Sequence, residues 1–595
     1  MSAGAAIESI QSNQPPGLSR TKHKRWIYPE TDPAEAAELA RSASIPLIVA
    51  ELLIARGVRS SQEVAHFLNP QLSDLHDPYA MLGMSAAVTR IRQAIERREP
   101  VLIYGDYDVD GTTATILLKT AIEMLGGLAR FHIPHRLREG YGMRDDRLAD
   151  AAAEGIRLVI SVDTGIRAFA AAEAAEVLGL DLIVTDHHLP EKSVPRALAV
   201  LNPNQPDCAY PCKHLCGAGV AFKLAQALLE ARDTERARTK ILPSFLKILA
   251  IATVADAVPL LGENRTFVAL GLDGLRRPVN AGLRHLMLTA NLDPALRRLT
   301  PTDIAFRIAP RINAAGRMDI ASDVVELFTT REPQRARQLA EKLERLNTER
   351  RAAEAAILAQ IVERLKEEAF QQARCIVMDG DGWHRGIIGI LASRIVDQTG
   401  KPALVVTREN DEAHGSGRSI PGFHLLNAIE SCHDLFTRFG GHAHAVGFSL
   451  PSEKIPELRR RLESYALAHL REDGLGTPLT IQALLPLDRI TPALFTWLRR
   501  MEPCGLGNEE PVFAAQNVRL AAAPRFFRER HARLHLAQGP RAIMFPAIGW
   551  HWAERIQQLA LQEGSVIHLA YKLRENEHPE FGGLELEIVD IEPAH

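Results

Sequence analysis

Apolar and polar positions change rhythm several times along this chain, and each change predicts a different kind of structure. From about Asp32 to Leu68 apolar residues recur near helical spacing, with a break at Gly57, which predicts a helical lead-in. From Glu99 to about Pro259 short continuous apolar runs alternate with Ala/Leu-rich segments. VLIYG (101–105), ARFHIPH, IRLVISV (156–162), LDLIVT (180–185) and ALAVLNP read as strands, with ATILLKTAIEML (114–125) and LADAAAEG as helices between them. Strands that are apolar throughout, separated by helices, predict a parallel sheet covered on both faces.

Residues 332–370 are dense in Glu, Arg, Ala and Leu. They predict one helix, about 55–60 Å long at 1.5 Å per residue, acting as a rigid connector. ARCIVMDG, GIIGILASRIVDQTG and KPALVVT then predict a second α/β unit. The last part of the chain changes again to short strand-like runs with turn signals: TIQALLP, VFAAQNVRL, ARLHLAQ, SVIHLAYKL and LELEIVDI. These fit a small β-barrel or sandwich. The expected division is a frayed tail and helical lead-in over 1–75, an α/β unit over 76–331, the connector over 332–370, a second α/β unit over 371–468 and the barrel over 469–595. No internal repeat is visible.

Composition narrows the class. With 595 residues, 46% of them hydrophobic, a sizeable core is expected and wholesale disorder is excluded. Six cysteines are too sparse for a disulfide framework, which points to a reducing compartment. The N-terminus is polar, and the longest apolar stretch, Ile248 to Leu261, is short for a span and contains Asp256. A soluble cytoplasmic protein with no membrane partner is expected.

Charge changes the picture less simply. The 70 Lys+Arg against 73 Asp+Glu leave a net charge of -3, which on average argues against nucleic acid. The distribution argues the other way. Between Arg519 and Arg541 lie six arginines and one acid, Glu529, with Phe526 and Phe527 interleaved. Arginines for phosphates and aromatics for bases suit a single-stranded nucleic acid on an oligonucleotide-binding barrel; the bland reading is an exposed basic surface over buried phenylalanines.

The densest chemistry follows the first strand: Asp106-Tyr107-Asp108-Val109-Asp110-Gly111. Alternating carboxylates repel unless a cation neutralises them. A calcium loop of the EF-hand type would need different flanks, and capping of the next helix accounts for one Asp but poorly for three. The same placement recurs, since IRLVISV ends in Asp163-Thr164-Gly165 and LDLIVT in Asp186-His187-His188. Parallel strands aim these ends into one crevice. Asp256, a charge in the apolar run TVADAVPL, is a further contributor. Hard oxygens with one or two imidazoles suit Mg²⁺ or Mn²⁺, and carboxylates around two such ions are a standard arrangement for phosphoester hydrolysis. The pattern does not separate phosphodiester from pyrophosphate or monoester. Cys208, Cys212, His214 and Cys216 lack the spacing of a usual zinc site and are read as free thiols.

The strand-end Asp-His-His with DYDVDG and Asp256 resembles the DHH phosphoesterase family. HRLREGYG (135–142), LCGAGVAFK (215–223), TVADAVPL (253–260), RINAAGRM (311–318), GWHRGIIGILASRI (382–395), GSGRS (415–419) and GGHAHAVGFS (440–449) follow in family order and narrow the resemblance to the RecJ exonucleases, from about residue 45 onward. The resemblance implies an α/β multidomain protein: a parallel-sheet DHH domain and a DHHA1 α/β domain joined by a long helix, plus a C-terminal OB-fold barrel. It implies two divalent ions, Mn²⁺ or Mg²⁺, held by Asp106, Asp108, Asp110, Asp163, His187 and Asp256. Asp163, His187 and His188 would be catalytic, Asp186 would orient His187, and His188 would be a ligand or a phosphate contact. Many relatives carry a metal-binding His where this chain has Tyr104, a departure that shifts that role towards Asp106.

The resemblance also implies a phosphate cradle in Gly415-Ser416-Gly417-Arg418-Ser419, made of backbone N–H groups, the Ser416 hydroxyl and Arg418. Arg136, Arg311 and Arg317 would recognise a 5′-terminal phosphate, His442 would contact the scissile group, and Arg525, Phe526, Arg528, Arg530 and Arg533 would line the barrel's DNA surface. The implied activity is single-stranded-DNA-specific 5′→3′ exonuclease, releasing 5′-mononucleotides in repair, recombination and mismatch processing. A single-stranded-DNA-binding protein and a RecQ-type helicase are the implied partners. Two alternatives stand beside it. A phosphodiesterase of short RNA or cyclic dinucleotides fits the length and the barrel poorly. A catalytically inactive DNA-binding relative fits the intact Asp108, Asp110, Asp163, His187 and Asp256 poorly.

Overall fold

The computed structural model describes residues 24–28, 30–136, 138–140, 142–293, 295–470, 478–539, 543–576 and 583–594. The expected frayed tail, up to residue 23, and Arg541 of the basic stretch lie outside these residues.

The first α/β unit is built on five parallel strands: β1 (Pro100–Tyr104), β2 (Leu128–His132), β3 (Leu158–Val162), β4 (Asp181–Thr185) and β5 (Ala199–Leu201). Their order is β2-β1-β3-β4-β5. Val101, Ile103, Leu158, Ile160 and Ile183 are wholly buried, as strands covered by helices on both faces require. The order reverses between β1 and β3, and the crevice beyond their carboxyl ends is where open α/β sheets bind ligands. After β5 the unit becomes helical. The apolar run from Ile248 belongs to the helix Leu242–Ala255, which ends at Asp256.

The connector departs from the expected single helix. It runs from Pro333, a residue suited to a first helical turn, to Arg364, 32 residues or about 48 Å, and a short helix Glu368–Gln372 follows. The turn between them lets Leu365 and Phe370 enter the core of the second unit, with the Phe370 ring near the guanidiniums of Arg364 and Arg459. The helix is not a free rod. Ala336, Leu339, Ala340 and Leu343 are embedded in the first unit, and Ile357 and Ile361 in the second.

The second unit has strands β6 (Ile376–Asp381), β7 (Ala403–Glu409), β8 (Glu412–Arg418), β9 (Arg438–His442) and β10 (Ala445–Pro451), in the order β9-β10-β8-β7-β6. β6 and β7 are parallel and the other pairs antiparallel. GSGRS is therefore not a cradle-forming turn. Gly415 to Arg418 sit inside β8 with neighbours on both sides, so their N–H groups serve the ladders. A Cβ on Gly415 would lie 2.0 Å from the Phe448 ring, which explains that glycine by packing.

The C-terminal strands close into a barrel rather than a sandwich. Phe513–Leu520 pairs with Val566–Asn576, that with Gly583–Pro593, that with Ile543–Gly549, that with His531–Gln538, and the last returns to the first through Arg519–Ala537 and Leu520–Leu536. The lead-in helices Pro33–Ala43, Leu47–Ile54 and Ser61–Leu68 pack on this barrel, with Leu52, Leu53 and Phe67 in one core with Leu485, Leu498, Phe513 and Leu534. Gly57, at φ +80, makes the expected break. Residues 25–27 pair with 478–480, so the two ends of the chain form one body.

Arg265 joins that body to the first unit. Its side chain is almost wholly buried, lies 3.9 Å from the Phe67 ring centre, and donates to the carbonyls of Phe67, Arg500, Met501, Glu502 and Pro503. Five acceptors make a buried guanidinium tolerable without a carboxylate. No helix among the described residues is long and apolar enough to cross a membrane.

Candidate metal centre

The strand ends bring the acidic motifs together. Asp106 follows β1, Asp163 follows β3 and Asp186-His187-His188 follows β4, while the helix ending at Asp256 delivers a further carboxylate. Potential ligand atoms lie within 4.8 Å of one another in three overlapping groups: Asp106, Asp108 and Asp163; Asp110, His187 and Asp256; and Asp163, Asp186, His187 and His188. His187 sits at their centre. Its Nε2 is 3.3 Å from Asp163 Oδ1 and 3.8 Å from Asp110 Oδ2, and its Nδ1 is 3.8 Å from Asp256 Oδ2.

Local structure explains why these side chains stay where they are. Asp108 caps the helix Val109–Met124, accepting from Gly111 N–H at 3.0 Å, so the capping reading is right for this one Asp. Asp110 accepts from the N–H groups of Gly217 and Ala218, at 2.6 and 2.9 Å, at the start of the helix Gly217–Glu230. That helix can begin there because residue 217 is glycine; a Cβ would lie 2.5 Å from Asp163 Oδ1. Asp163 itself adopts φ 59, a left-handed conformation that costs an L-residue roughly 1 kcal/mol. From RINAAGRM, Asn313 Oδ1 accepts from Val109 N–H, and Gly316 packs where a Cβ would be 2.4 Å from the Tyr107 carbonyl oxygen. Gly217, Asn313 and Gly316 hold the acidic loops in place and are positions that the sequence reading missed. A glycine opening an apolar helix was the available signal for the first.

Asp186 serves a different histidine from the one expected. Its Oδ1 is 2.7 Å from His188 Nδ1 and accepts from the backbone N–H of His187, while its Oδ2 accepts from Ile166 N–H. It orients the His188 ring and the loop, while His187 reaches into the carboxylates. Tyr104 is absent from the centre. Buried on one face of the sheet, it donates to the Gly142 carbonyl, lies tilted beside His132 with ring centres 5.0 Å apart, and is pushed up to about 12 by burial and Glu139.

The electrostatics call for a cation. Burial and Asp108 push Asp106 well above the ordinary carboxylate range; burial and Asp110 do the same to Asp163 and raise Asp108. Asp256 is pushed up to about 9 by burial, Asp110 and Asp108. Burial holds His187 low, which favours the neutral, metal-binding imidazole. Asp106 Oδ1, Asp163 Oδ1 and Asp256 Oδ2 are buried with no hydrogen-bond partner. Orphaned buried oxygens of this kind are what a hard divalent ion satisfies. His188 behaves differently: against the downward pull of burial, its bond to Asp186 raises it, and the same bond holds Asp186 low despite burial.

Beside the carboxylates the charge reverses, with arginines drawn from both units. The Arg136 guanidinium lies 4.9 Å from the Tyr107 ring centre. Arg317 donates to the Gly386 carbonyl and is lowered to about 9 by burial and by Arg136, Arg350 and Arg418. Arg418 donates to Ser416 Oγ at 3.1 Å and is lowered by burial and Arg136. Arg136, Arg317 and Arg418 form no ion pair among the described residues. Arg350, supplied by the connector helix, is a neighbour the sequence reading missed. His442 is held low by burial, His444, Arg418 and His188. Arg311 is not part of this group. Its guanidinium bonds Glu344 on the connector helix and the carbonyls of Arg307 and Thr289, so its donors hold the fold.

On the barrel, Arg525, Phe526, Arg528, Arg530 and Arg533 are all exposed. Arg525–Phe527 forms a short strand with Arg525 opposite Arg533, a like-charged pair that an anion would relieve. Phe527 turns inward onto His531 and Trp550.

Family models match along the chain in the same order as these structures: the DHH family N-terminal domain over residues 100–253, the DHHA1 domain over 362–467 and the RecJ OB domain over 481–590. The single-stranded-DNA-specific exonuclease RecJ of Dickeya dadantii is 35% identical over 559 residues, 91% of this chain and 95% of that protein. The chain belongs to the RecJ family of single-stranded-DNA-specific exonucleases. RecJ of Bacillus subtilis is 36% identical over 83% of this chain, which spans 62% of that longer protein. RecJ of Thermus thermophilus in complex with Mn²⁺ superposes with a TM-score of 0.81 at 29% identity, covering 97% of this chain and 80% of that one; the Mg²⁺ complex gives 0.75 at 28%, covering 96% and 79%. The architecture of DHH sheet, DHHA1 unit and OB barrel is thus the RecJ fold.

Proposed function

We propose that this chain is a metal-dependent 5′→3′ exonuclease of single-stranded DNA, hydrolysing phosphodiester bonds and releasing 5′-mononucleotides. The observation that carries this reading is a cleft lined by two kinds of group: carboxylates with orphaned buried oxygens, and beside them arginines from both units that form no ion pair among the described residues. Asp106, Asp108, Asp110, Asp163, His187 and Asp256 would hold two divalent ions, Mn²⁺ or Mg²⁺. Bound there, such ions orient and acidify water and stabilise the entering and leaving oxygens. His188, protonated more readily through its bond to Asp186, would donate to a phosphoryl oxygen. Arg136, Arg317 and Arg418 with Ser416 would neutralise a terminal 5′-phosphate, His442 would contact the scissile group, and the exposed barrel arginines with Phe526 would hold the strand farther out.

The same reading takes the division at residues 75, 331, 370 and 468 as the working domain limits. It places the protein in the cytoplasm, in DNA repair and recombination, with a single-stranded-DNA-binding protein and a RecQ-type helicase as partners. The test uses DNA labelled at either end, single- or double-stranded, with Mn²⁺ or Mg²⁺ and an Asp163→Ala control. Metal-dependent shortening of the single strand from its 5′ end is expected. No such degradation overturns the proposal, and activity retained by the control overturns the ligand assignment.

A further inference from the structure

Five glycines stand in β8, β9 and β10, and they are of two kinds. Gly415 is needed against the Phe448 ring. A Cβ on Gly417 would lie 2.8 Å from Val446 Cγ2, and one on Gly441, at φ +148, would lie 2.3 Å from the Ala445 carbonyl oxygen. Gly440 and Gly447 have no such reason. A Cβ on either would meet nothing within 4 Å, and neither has a positive φ. They are direct partners across the β9–β10 ladder. Glycine within a strand costs roughly 0.5–1 kcal/mol relative to alanine. A strand glycine that the fold does not need marks a place where something else approaches closely.

The register shows what surrounds this bare strip. Residues opposite one another in neighbouring strands point to the same face, so three rows share it: His442–Ala445–Arg418, Gly440–Gly447–Ser416 and Arg438–Ser449–His414. It is the face turned to the metal centre. Ser416 Oγ and Arg418 Nη2 lie 3.1 and 3.2 Å from where a Cβ on Gly389 would sit, in the helix Arg385–Thr399 whose Gly386 carbonyl accepts from Arg317 of the first unit. Arg438 Nη2 is 4.0 Å from where a Cβ on Gly140, in the first unit, would sit. The strip thus runs between one cationic row beside the centre and a second headed by Arg438. At about 3.4 Å per residue these outer rows are roughly 14 Å apart. Arg438 makes no ion pair among the described residues.

We propose that Gly440 and Gly447 form a floor on which the sugar–phosphate chain of the substrate lies, and that Arg438 takes a phosphate farther along the strand. The inference rests on the reading of this cleft as a single-stranded-DNA exonuclease site. It adds a length requirement, because a strand must cross the floor to reach Arg438, whereas a dinucleotide engages the His442–Arg418 end alone. Alanine at the two glycines fills open space, so the fold keeps its stability while the substrate is lifted.

The experiment compares wild type, the double variant Gly440→Ala/Gly447→Ala and Arg438→Ala, each with Mn²⁺, on a 5′-phosphorylated oligonucleotide and a 5′-phosphorylated dinucleotide. For the double variant, KM on the oligonucleotide should rise about tenfold with kcat changed less than about twofold. For Arg438→Ala, KM should rise on the oligonucleotide, with a salt slope reduced by about one, and the rise should vanish on the dinucleotide. A double variant with wild-type KM on the oligonucleotide, or an Arg438→Ala defect of equal size on both substrates, overturns the inference. A wild type that degrades neither substrate overturns the exonuclease reading instead.

Discussion

The acidic wall of the cleft comes from one unit and the basic wall from both, Arg136 and Arg317 from the first and Arg418 and His442 from the second. The difference governs both their chemistry and how far a sequence can reveal it. In the first unit every strand is parallel and the inner ones are covered on both faces, so side chains along them are spent on the core. Chemistry is left to the carboxyl ends, where Asp106, Asp163 and Asp186-His187-His188 appear as short contiguous motifs. In the second unit the helix Arg385–Thr399 packs on one face of the sheet and the core around Leu425 and Phe448 on the other, and the outer hairpin of β9 and β10 extends beyond that helix. The unit's functional residues alternate along each strand, with His414, Ser416 and Arg418 on one side and the packing glycines Gly415 and Gly417 on the other. Carboxylates thus gather at the strand ends of one unit, while the arginines beside them come from both. A net charge of -3 accordingly says nothing about whether a phosphate strand enters between them.

The strongest way to test this comparison is to remove one group from each wall. Asp163→Ala should lower kcat by about 10³-fold or more, the scale of several kcal/mol of lost transition-state stabilisation, and should weaken Mn²⁺ binding in calorimetry. Near-wild-type turnover would mean that the acidic wall is misassigned. Arg418→Ala should cost about 100-fold in kcat/KM on a 5′-phosphorylated strand, through loss of charge-assisted bonds to phosphate, and much less on a 5′-hydroxyl strand. An equal loss on both strands would remove the terminal phosphate from that wall.

Charge on the acidic wall also has a thermodynamic signature. Asp106, Asp163 and Asp256 have folded-state values raised above the ordinary 3.8, that of Asp256 to about 9. The folded metal-free protein therefore holds protons that the unfolded chain has released. Its stability from these groups is full below about pH 4 and is lost as the pH rises towards 9. In EDTA, Tm should fall by several degrees between pH 5 and 9, and Mn²⁺ should restore more at pH 8 than at pH 6. A flat apo profile would argue against the burden of buried charge. The smallest effect is expected at Arg311. Because its guanidinium holds Glu344 and backbone carbonyls, Arg311→Lys should lower Tm by a few degrees while kcat/KM stays within about twofold. A loss resembling that of Arg418→Ala would return Arg311 to the phosphate-binding wall.

Much of the acidic wall was legible because its residues are consecutive and follow apolar runs that could only be buried strands. The basic wall was legible in part. Arg136, Arg317, Arg418 and His442 lie within electrostatic reach of one another or of the centre, whereas Arg311, six residues from Arg317 in the same helix, is bonded elsewhere, and the sequence offers no signal that separates the two. Where a guanidinium points depends on the packing of that helix on the connector. Asp186 was paired with the wrong histidine for a similar reason, since adjacent residues at a strand end point to opposite sides and only the folded loop decides which one the carboxylate meets.

By itself the sequence determined the parallel sheet, the strand-end carboxylates, their need for a cation and the barrel strands, because all of these are local patterns of apolar runs and like charges. Tertiary structure alone decided that the lead-in helices share the barrel's core, that Arg265 ties that body to the first unit, that GSGRS is a central strand, and that Gly440 and Gly447 lie bare between two cationic rows. Each of these depends on pairings between residues far apart in the chain. Such pairings are set by the competition among whole surfaces for burial, which no local window of sequence contains.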